Sequence, residues 1–143
     1  MILLDTNVLS AVIQQPSDRT ISGWLNRRFP ECAVSSVTTF ELWHGVTRLA
    51  GKRRQSLESS IERVVRRFGQ RVFPFDEAAA LAAARLSEAA RSLGRPLHQV
   101  PEKLADLQIA GIASAYGLDL ATRNVGDFAG LGLNLIDPWS PEA

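Results

Sequence analysis

Ile2-Leu3-Leu4-Asp5-Thr6-Asn7 is a wholly apolar run that ends on three residues suited to turns and helix caps. It reads as a short buried strand followed directly by a helix start. Val8, Leu9, Val12 and Ile13 then recur at helical spacing until Pro16 stops them. The same unit repeats outward from this point. Ser17 or Asp18 caps a second helix carrying Ile21, Trp24 and Leu25 up to Pro30, and a second strand follows around Cys32 to Val34. Behind the capping residues Ser35 and Ser36, the positions Val37, Phe40, Trp43, Val46 and Leu49 fit a helix that stops at Gly51. Leu57, Ile61, Val64, Val65 and Phe68 mark another amphipathic helix ending at Gly69, and Arg71-Val72-Phe73 makes a third strand. Asp76 caps an alanine-rich helix that runs through Leu93.

Gly94 to Lys103, with two prolines and one glycine, reads as a loop. Leu104 to Tyr116 is helical and suited to burial through Leu107, Ile109, Ala110, Ile112 and Ala113. After Gly117, Leu118 to Ala121 forms a fourth strand, Thr122 to Phe128 a turn or short helix, and Leu133 to Ile136 a last strand. Strands alternating with helices predict an α/β fold: one domain over residues 1–143, with a parallel sheet of about four or five strands and helices on both faces. Sites in such sheets form where loops leave the carboxyl ends of strands, which places Asp5 and the Thr122 to Asp127 turn at one edge.

The bulk numbers exclude several classes. With 45% hydrophobic and 22% charged residues in 143, the chain can bury a core, and no apolar run approaches the roughly 20 residues needed to span a bilayer. The start has no basic region or small-residue cleavage site, so a cytoplasmic protein with no membrane partner is expected. Cys32, the single cysteine, excludes an internal disulfide and reads as a buried apolar residue. A net charge of +1 does not by itself argue for nucleic acid. The segment Lys52 to Arg71 is locally basic, with Lys52, Arg53, Arg54, Arg63, Arg66, Arg67 and Arg71 against Glu58 and Glu62. It reads either as a phosphate-binding face or as a solvated helix face with Glu62–Arg66 pairing.

The acidic residues carry the chemistry. Asp5 ends an apolar strand, where a carboxylate is costly unless it caps, pairs or binds metal. Glu41 falls between Phe40 and Leu42, and Asp106 lies among the apolar residues of a buried helix; each reads as a surface acid or as a site acid. Asn124 and Asp127 follow the fourth strand, as caps of a short helix or as further site residues. His44 and His98 have no partnered acid at a telling spacing, and Trp24, Trp43 and Trp139 read as packing residues.

Taken in order, Leu-Leu-Asp-Thr-Asn at 3–7, Ser-Ser-Val-Thr-Thr-Phe-Glu-Leu at 35–42, Ala-Asp-Leu-Gln-Ile-Ala at 105–110 and Ala-Thr-Arg-Asn-Val-Gly-Asp-Phe at 121–128 resemble the motifs of PIN domains of the VapC toxin family. The resemblance runs from Ile2 to about Ile136, with Gly94 to Lys103 longer than the usual connection. It implies a metal-dependent endoribonuclease, the toxin of a type II toxin–antitoxin pair, leaving 5′-phosphate and 3′-hydroxyl ends. Asp5, Glu41 and Asp106 fall on the family's acids, Asp127 on the fourth, with Asn124 an additional candidate, and Thr6, Asn7, Ser36 and Thr122 on supporting positions. Mg²⁺ or Mn²⁺ is the implied cofactor, because hard cations bridge carboxylates to phosphate and activate water for in-line attack.

The implied partners are an RNA substrate, a cognate antitoxin, and a second copy as homodimer or toxin–antitoxin hetero-oligomer. The apolar N-terminal third, with Trp24 and Trp43, is the expected antitoxin groove. Two competing readings stand beside this one. A haloacid-dehalogenase-like phosphatase also begins with an aspartate after a strand, but wants a second one where Asn7 stands. A catalytically silent PIN module acting as a binding partner is disfavoured by the three leading carboxylates.

Overall fold

In the computed structural model, which describes all residues 1–143, the opening apolar run becomes the central strand, β1 (Ile2–Leu4). Asp5 ends it and caps α1 (Thr6–Gln14). Asp18 caps α2 (Arg19–Arg28) by accepting the Thr20 N–H, and a 3-10 turn over Phe29–Glu31 leads into β2 (Cys32–Ser35). Ser35 caps α3 (Ser36–Val46), which is followed by α4 (Gly51–Phe68) and β3 (Val72–Phe73). Asp76 caps α5 (Glu77–Ser92); then come α6 (Pro101–Tyr116), β4 (Asp119–Ala121), α7 (Val125–Phe128) and β5 (Leu135–Ile136).

The five strands are all parallel, in the order β3-β2-β1-β4-β5. The chain winds from β1 outward through β2 to β3, then returns to the other side of β1 for β4 and β5. The winding reverses between β1 and β4, and the crevice beyond their carboxyl ends is where open α/β sheets bind ligands.

Alternation along the strands divides the core into two layers. Ile2, Leu4, Cys32 and Val34 pack with Val8, Leu9, Ile21, Trp24, Ile61 and Phe68 from α1, α2 and α4. Leu3, Ala33 and Leu120 face the other way, onto Ala79, Leu86 and Ala90 of α5 and Leu107, Ile109, Ala110 and Ala113 of α6. Helices therefore cover both faces, as expected. Arg71 secures β2 to its surroundings: its guanidinium donates to the carbonyls of Phe29 (2.7 Å) and Cys32 (2.6 Å) and lies over the rings of Phe29 and Phe68.

Several local expectations are corrected. The third helix ends at Val46 rather than reaching Leu49, because Thr47 turns both its N–H and its hydroxyl onto the His44 carbonyl and tightens the last turn. Its buried face is Thr38, Leu42 and Val46, which leaves Phe40 65% and Trp43 39% exposed. Trp24 is only 1% exposed, so it belongs to the core and lines no partner groove. The Gly94 to Lys103 stretch is not all loop. Leu97–Gln99 form a 3-10 turn and α6 begins at Pro101, a first-turn position where proline's missing N–H costs nothing. Strands β4 and β5 start at Asp119 and Leu135, one and two residues later than the apolar runs suggested.

Helices α5 and α6 meet at Gly111. A Cβ there would stand 2.6 Å from the Ala83 Cβ, 2.7 Å from the Ala79 carbonyl oxygen and 2.9 Å from the Ala83 nitrogen. Two of those three atoms are backbone, which cannot rotate away. Gly111→Ala gains about 1 kcal/mol of helix propensity. It should nevertheless lower stability by about 1–3 kcal/mol through overpacking. Chemical denaturation reads the sign, and an unchanged or raised midpoint would refute the close approach.

Candidate acidic active site

The crevice at the carboxyl ends of β1, β2 and β4 is built on Asp5, which is 1% exposed. One carboxylate oxygen accepts the Thr6 N–H at 2.7 Å and the other accepts the Thr122 hydroxyl at 2.7 Å. Its backbone N–H continues the ladder onto the Ala121 carbonyl at 2.9 Å. Asp5 thus ties β1 to the loop after β4 while it caps α1.

A chain of hydroxyls leads from β2 to Glu41. Ser35 caps α3 by accepting the Thr38 N–H (3.1 Å) and points its hydroxyl at Thr38 Oγ1 (3.3 Å). Thr6 donates its own hydroxyl to Glu41 Oε1 at 2.5 Å, so in the 3.0 Å contact between Thr38 and Thr6 the proton belongs to Thr38. Each hydroxyl donates to the next and the last donates to the carboxylate. This fixes Glu41 as an acceptor aimed into the crevice. Thr38 was missed by sequence reasoning, although its place three residues after a capping serine was a usable signal. Ser36, expected in support, is instead exposed at the first position of α3 and makes no side-chain hydrogen bond to the site.

The third and fourth acids come from the other side. Asp106, on the second turn of α6, accepts a long bond from the Asn124 amide at 3.4 Å. Asp127 on α7 receives the ammonium of Lys103 at 3.0 Å. Arg95 holds the α7 turn in place, donating to the carbonyls of Gly126 (2.8 Å), Asp127 (2.9 Å) and Ala129 (2.5 Å). Asn7 bridges, with its amide on the Thr122 hydroxyl (3.5 Å) and its carbonyl under the Arg123 N–H (3.4 Å). Lys103 and Arg95 were also missed, since both lie in a segment that reads as featureless loop.

Together these elements enclose a polar cleft of about 630 Å³ with no apolar side chain in its walls. Glu41, Glu102, Asp106 and Asp127 line it with Thr6, Asn7, Ser10 and Asn124, and Lys103 is the one cation. Asp5 sits beneath. Burial, and then the charge of Glu41, hold the Asp5 carboxyl above the ordinary range, against the pull of the Thr122 and Thr6 donors. Burial, followed by the charges of Asp5 and Glu41, pushes Asp106 up to about 7. Carboxylates that repel one another this strongly form a site for protons or for a cation. No three of them stand close enough to close a cage around an ion. An open set of carboxylate oxygens fits Mg²⁺ or Mn²⁺, which keep several waters and bind through few protein ligands, better than it fits Ca²⁺ or Zn²⁺.

The raised carboxyls fix the sign of a pH effect. Between the ordinary value of 3.8 and about 7, Asp106 holds its proton in the folded chain and has lost it in the unfolded one. Stability contributed by this proton is therefore full below about 4 and lost as pH rises to 7. Metal-free chain should melt at a higher temperature at pH 5 than at pH 8, with the difference reduced in Asp106→Asn. Mn²⁺ should bind more tightly at the higher pH, releasing protons that calorimetry in two buffers counts. A Mn²⁺ affinity independent of pH would contradict the cluster.

A model of the PIN domain family matches residues 2–131. Over 144 aligned residues the chain is 35% identical to the VapC ribonuclease Y4jK of Sinorhizobium fredii, covering 99% of both proteins. It is 34% identical to the toxin FitB of Neisseria gonorrhoeae, across 97% of this chain and 99% of that one. Among solved structures, a chain of FitAB bound to a DNA fragment superposes with a TM-score of 0.86 at 30% identity, covering 100% of this chain and 99% of its own. The five-stranded parallel sheet, the matched length and these relatives agree: the chain belongs to the PIN domain family.

Proposed function

We propose that this chain is a metal-dependent endoribonuclease, hydrolysing RNA phosphodiesters as the toxin of a type II toxin–antitoxin pair. The observation that carries the reading is the meeting of Asp5, Glu41 and Asp106 at the sheet's switch point, with Asp127 on the adjoining turn and one lysine among them. Similarity to a VapC ribonuclease and to the toxin FitB supports the substrate class and the toxin role. Glu41 and Asp106 face the cleft and would hold the cation, with Asp5 beneath them and Asp127 at the far wall. When bound, Mg²⁺ or Mn²⁺ would neutralise the carboxylates, polarise the phosphoryl oxygen and make water nucleophilic at neutral pH.

The chain's own groups do the rest. Thr6, its hydroxyl committed to Glu41, keeps that carboxylate in one rotamer, and Thr122 does the same for Asp5. Asn124 holds Asp106. Lys103 can turn from Asp127 toward a phosphate entering the cleft, where a positive charge offsets the charge that develops in the transition state. Asn7, which would have to be a second aspartate in a haloacid-dehalogenase-like phosphatase, is committed to Thr122 and Arg123 instead.

An antitoxin partner is supported by the FitAB complex. Exposed Phe40 and Trp43 on α3, with Leu104 45% exposed on α6, offer the apolar surface that such an assembly, or a homodimer, would cover. No helix is long and apolar enough to cross a membrane.

The test is cleavage of structured RNA by antitoxin-free chain with Mg²⁺ or Mn²⁺. EDTA should abolish cleavage. Asp5→Ala and Asp106→Asn should each reduce it about a hundredfold or more, the scale of metal-assisted charge stabilisation. At pH 8, where Asp106 has lost its proton, Asp106→Asn should at the same time stabilise the metal-free fold by about 1 kcal/mol, because it removes a repelled charge. Folded chain that binds Mn²⁺ and cuts no RNA would refute the nuclease reading.

A further inference from the structure

A second cavity, of about 670 Å³, opens off the acidic cleft between α1 and α4, sharing Thr6, Ser10 and Glu41 with it. Ile13, Leu49 and Leu57 give it an apolar floor, and Arg53 is its only cation. The other arginines of α4 and its C-terminal turn are mostly committed. Arg54 pairs with Glu58 and Arg66 with Glu62, Arg67 lies 4.3 Å over the Phe29 ring, and Arg71 is held by carbonyls. Arg53 has neither an ion pair nor a hydrogen bond, and it is exposed on the wall of a groove that starts at Glu41. Of the locally basic segment, it is the one residue that lines this path.

We propose that the α1–α4 groove is a nucleotide subsite flanking the scissile bond, in which Arg53 binds a neighbouring phosphodiester and the Ile13, Leu49 and Leu57 floor takes the face of a base. The proposal rests on reading the cleft as an RNA-cutting site. A strand whose phosphate sits among the carboxylates must leave the cleft, and this groove is continuous with it. Its composition suits a single-stranded nucleotide: an apolar surface for an unstacked base, the hydroxyl of Ser56, and one guanidinium for the anion. Arg53 is a binding residue for the strand, its phosphate contact carrying no sequence information, and it takes no part in bond breaking.

The experiment measures anisotropy of a fluorescein-labelled single-stranded RNA hexamer on antitoxin-free full chain with Mg²⁺, across a salt series, together with cleavage of the same hexamer. Arg53→Gln should weaken binding about tenfold, the effect of one charge-assisted bond to an anion. It should also lower the slope of log K against log salt by about 0.7, one phosphate contact. Arg54→Gln, on the same helix but outside the groove, should leave both unchanged. Ser56→Phe, which fills the groove without altering charge or releasing Arg63 from Ser60, should weaken binding with the salt slope kept. If Arg53→Gln binds and cuts like wild type, the subsite is overturned while the nuclease stands. That holds equally if Arg53→Gln loses affinity only for an antitoxin peptide. Wild type that shows the predicted binding pattern but cuts neither the hexamer nor structured RNA would sink the nuclease reading, and the groove would then stand only as a single-strand binding site with no scissile bond beside it. Wild type that binds no hexamer overturns the subsite.

Discussion

A carboxylate buried at the end of a central strand is tolerable only if its oxygens are satisfied or its charge is removed, and this constraint shapes the protein around Asp5. Satisfying it recruits the Thr6 N–H from the helix that follows and the Thr122 hydroxyl from the strand next door. Those two bonds hold the opening between β1 and β4, the place where the winding of the sheet reverses. What they leave uncompensated is the field of the charge itself. Glu41 and Asp106 stand in that field, which is one reason Asp106 holds its proton up to about 7. The interior thus provides both the scaffold and the electrostatic demand for a cation.

The parts of the fold legible in the sequence were those governed by local rules. Apolar runs bounded by capping residues marked the strands; Asp76 caps the helix it was expected to cap, and Asp18, one of two candidates with Ser17, caps the second. The central acids stand at a strand end and on the helices flanking the switch point, the elements to which the sequence pattern assigned them. What could not be read depends on tertiary partners. Phe40 and Trp43 looked like the inward face of α3, yet the inward face is Thr38, Leu42 and Val46, because Thr38 is drawn into the hydroxyl chain with Thr6. The same demand passed over Ser36 in favour of Ser35, one residue earlier.

Counting charges along a segment is equally blind to what neutralises them. Seven basic residues between Lys52 and Arg71 suggest a continuous electropositive face. In the folded chain two of them are paired to glutamates one turn away, and two lie over aromatic rings. Exposed pairs of this kind contribute little stability, about 0–1 kcal/mol each, but they erase the field that a sequence count would assign. Arg95 and Lys103, in a segment with no periodic signal, have more bearing on the site than most of that basic run.

The seam at Gly111 gives the acids of the cleft unequal mechanical footing. Helix α6 is pressed so closely against α5 that the two form a strut, and Asp106, just over one turn before Gly111, is located by steric exclusion with a single long bond to its side chain. Asp127 rides on a four-residue helix held by side chains instead: Phe128 beside it is buried in the core, the Arg95 guanidinium takes three carbonyls of the turn, and the Lys103 ammonium meets the carboxylate. The acids of the cleft are thus located by different means, one by the close packing of two helix backbones and the other by side-chain anchors on a short turn, so a change in either set would displace one acid and leave the other in place.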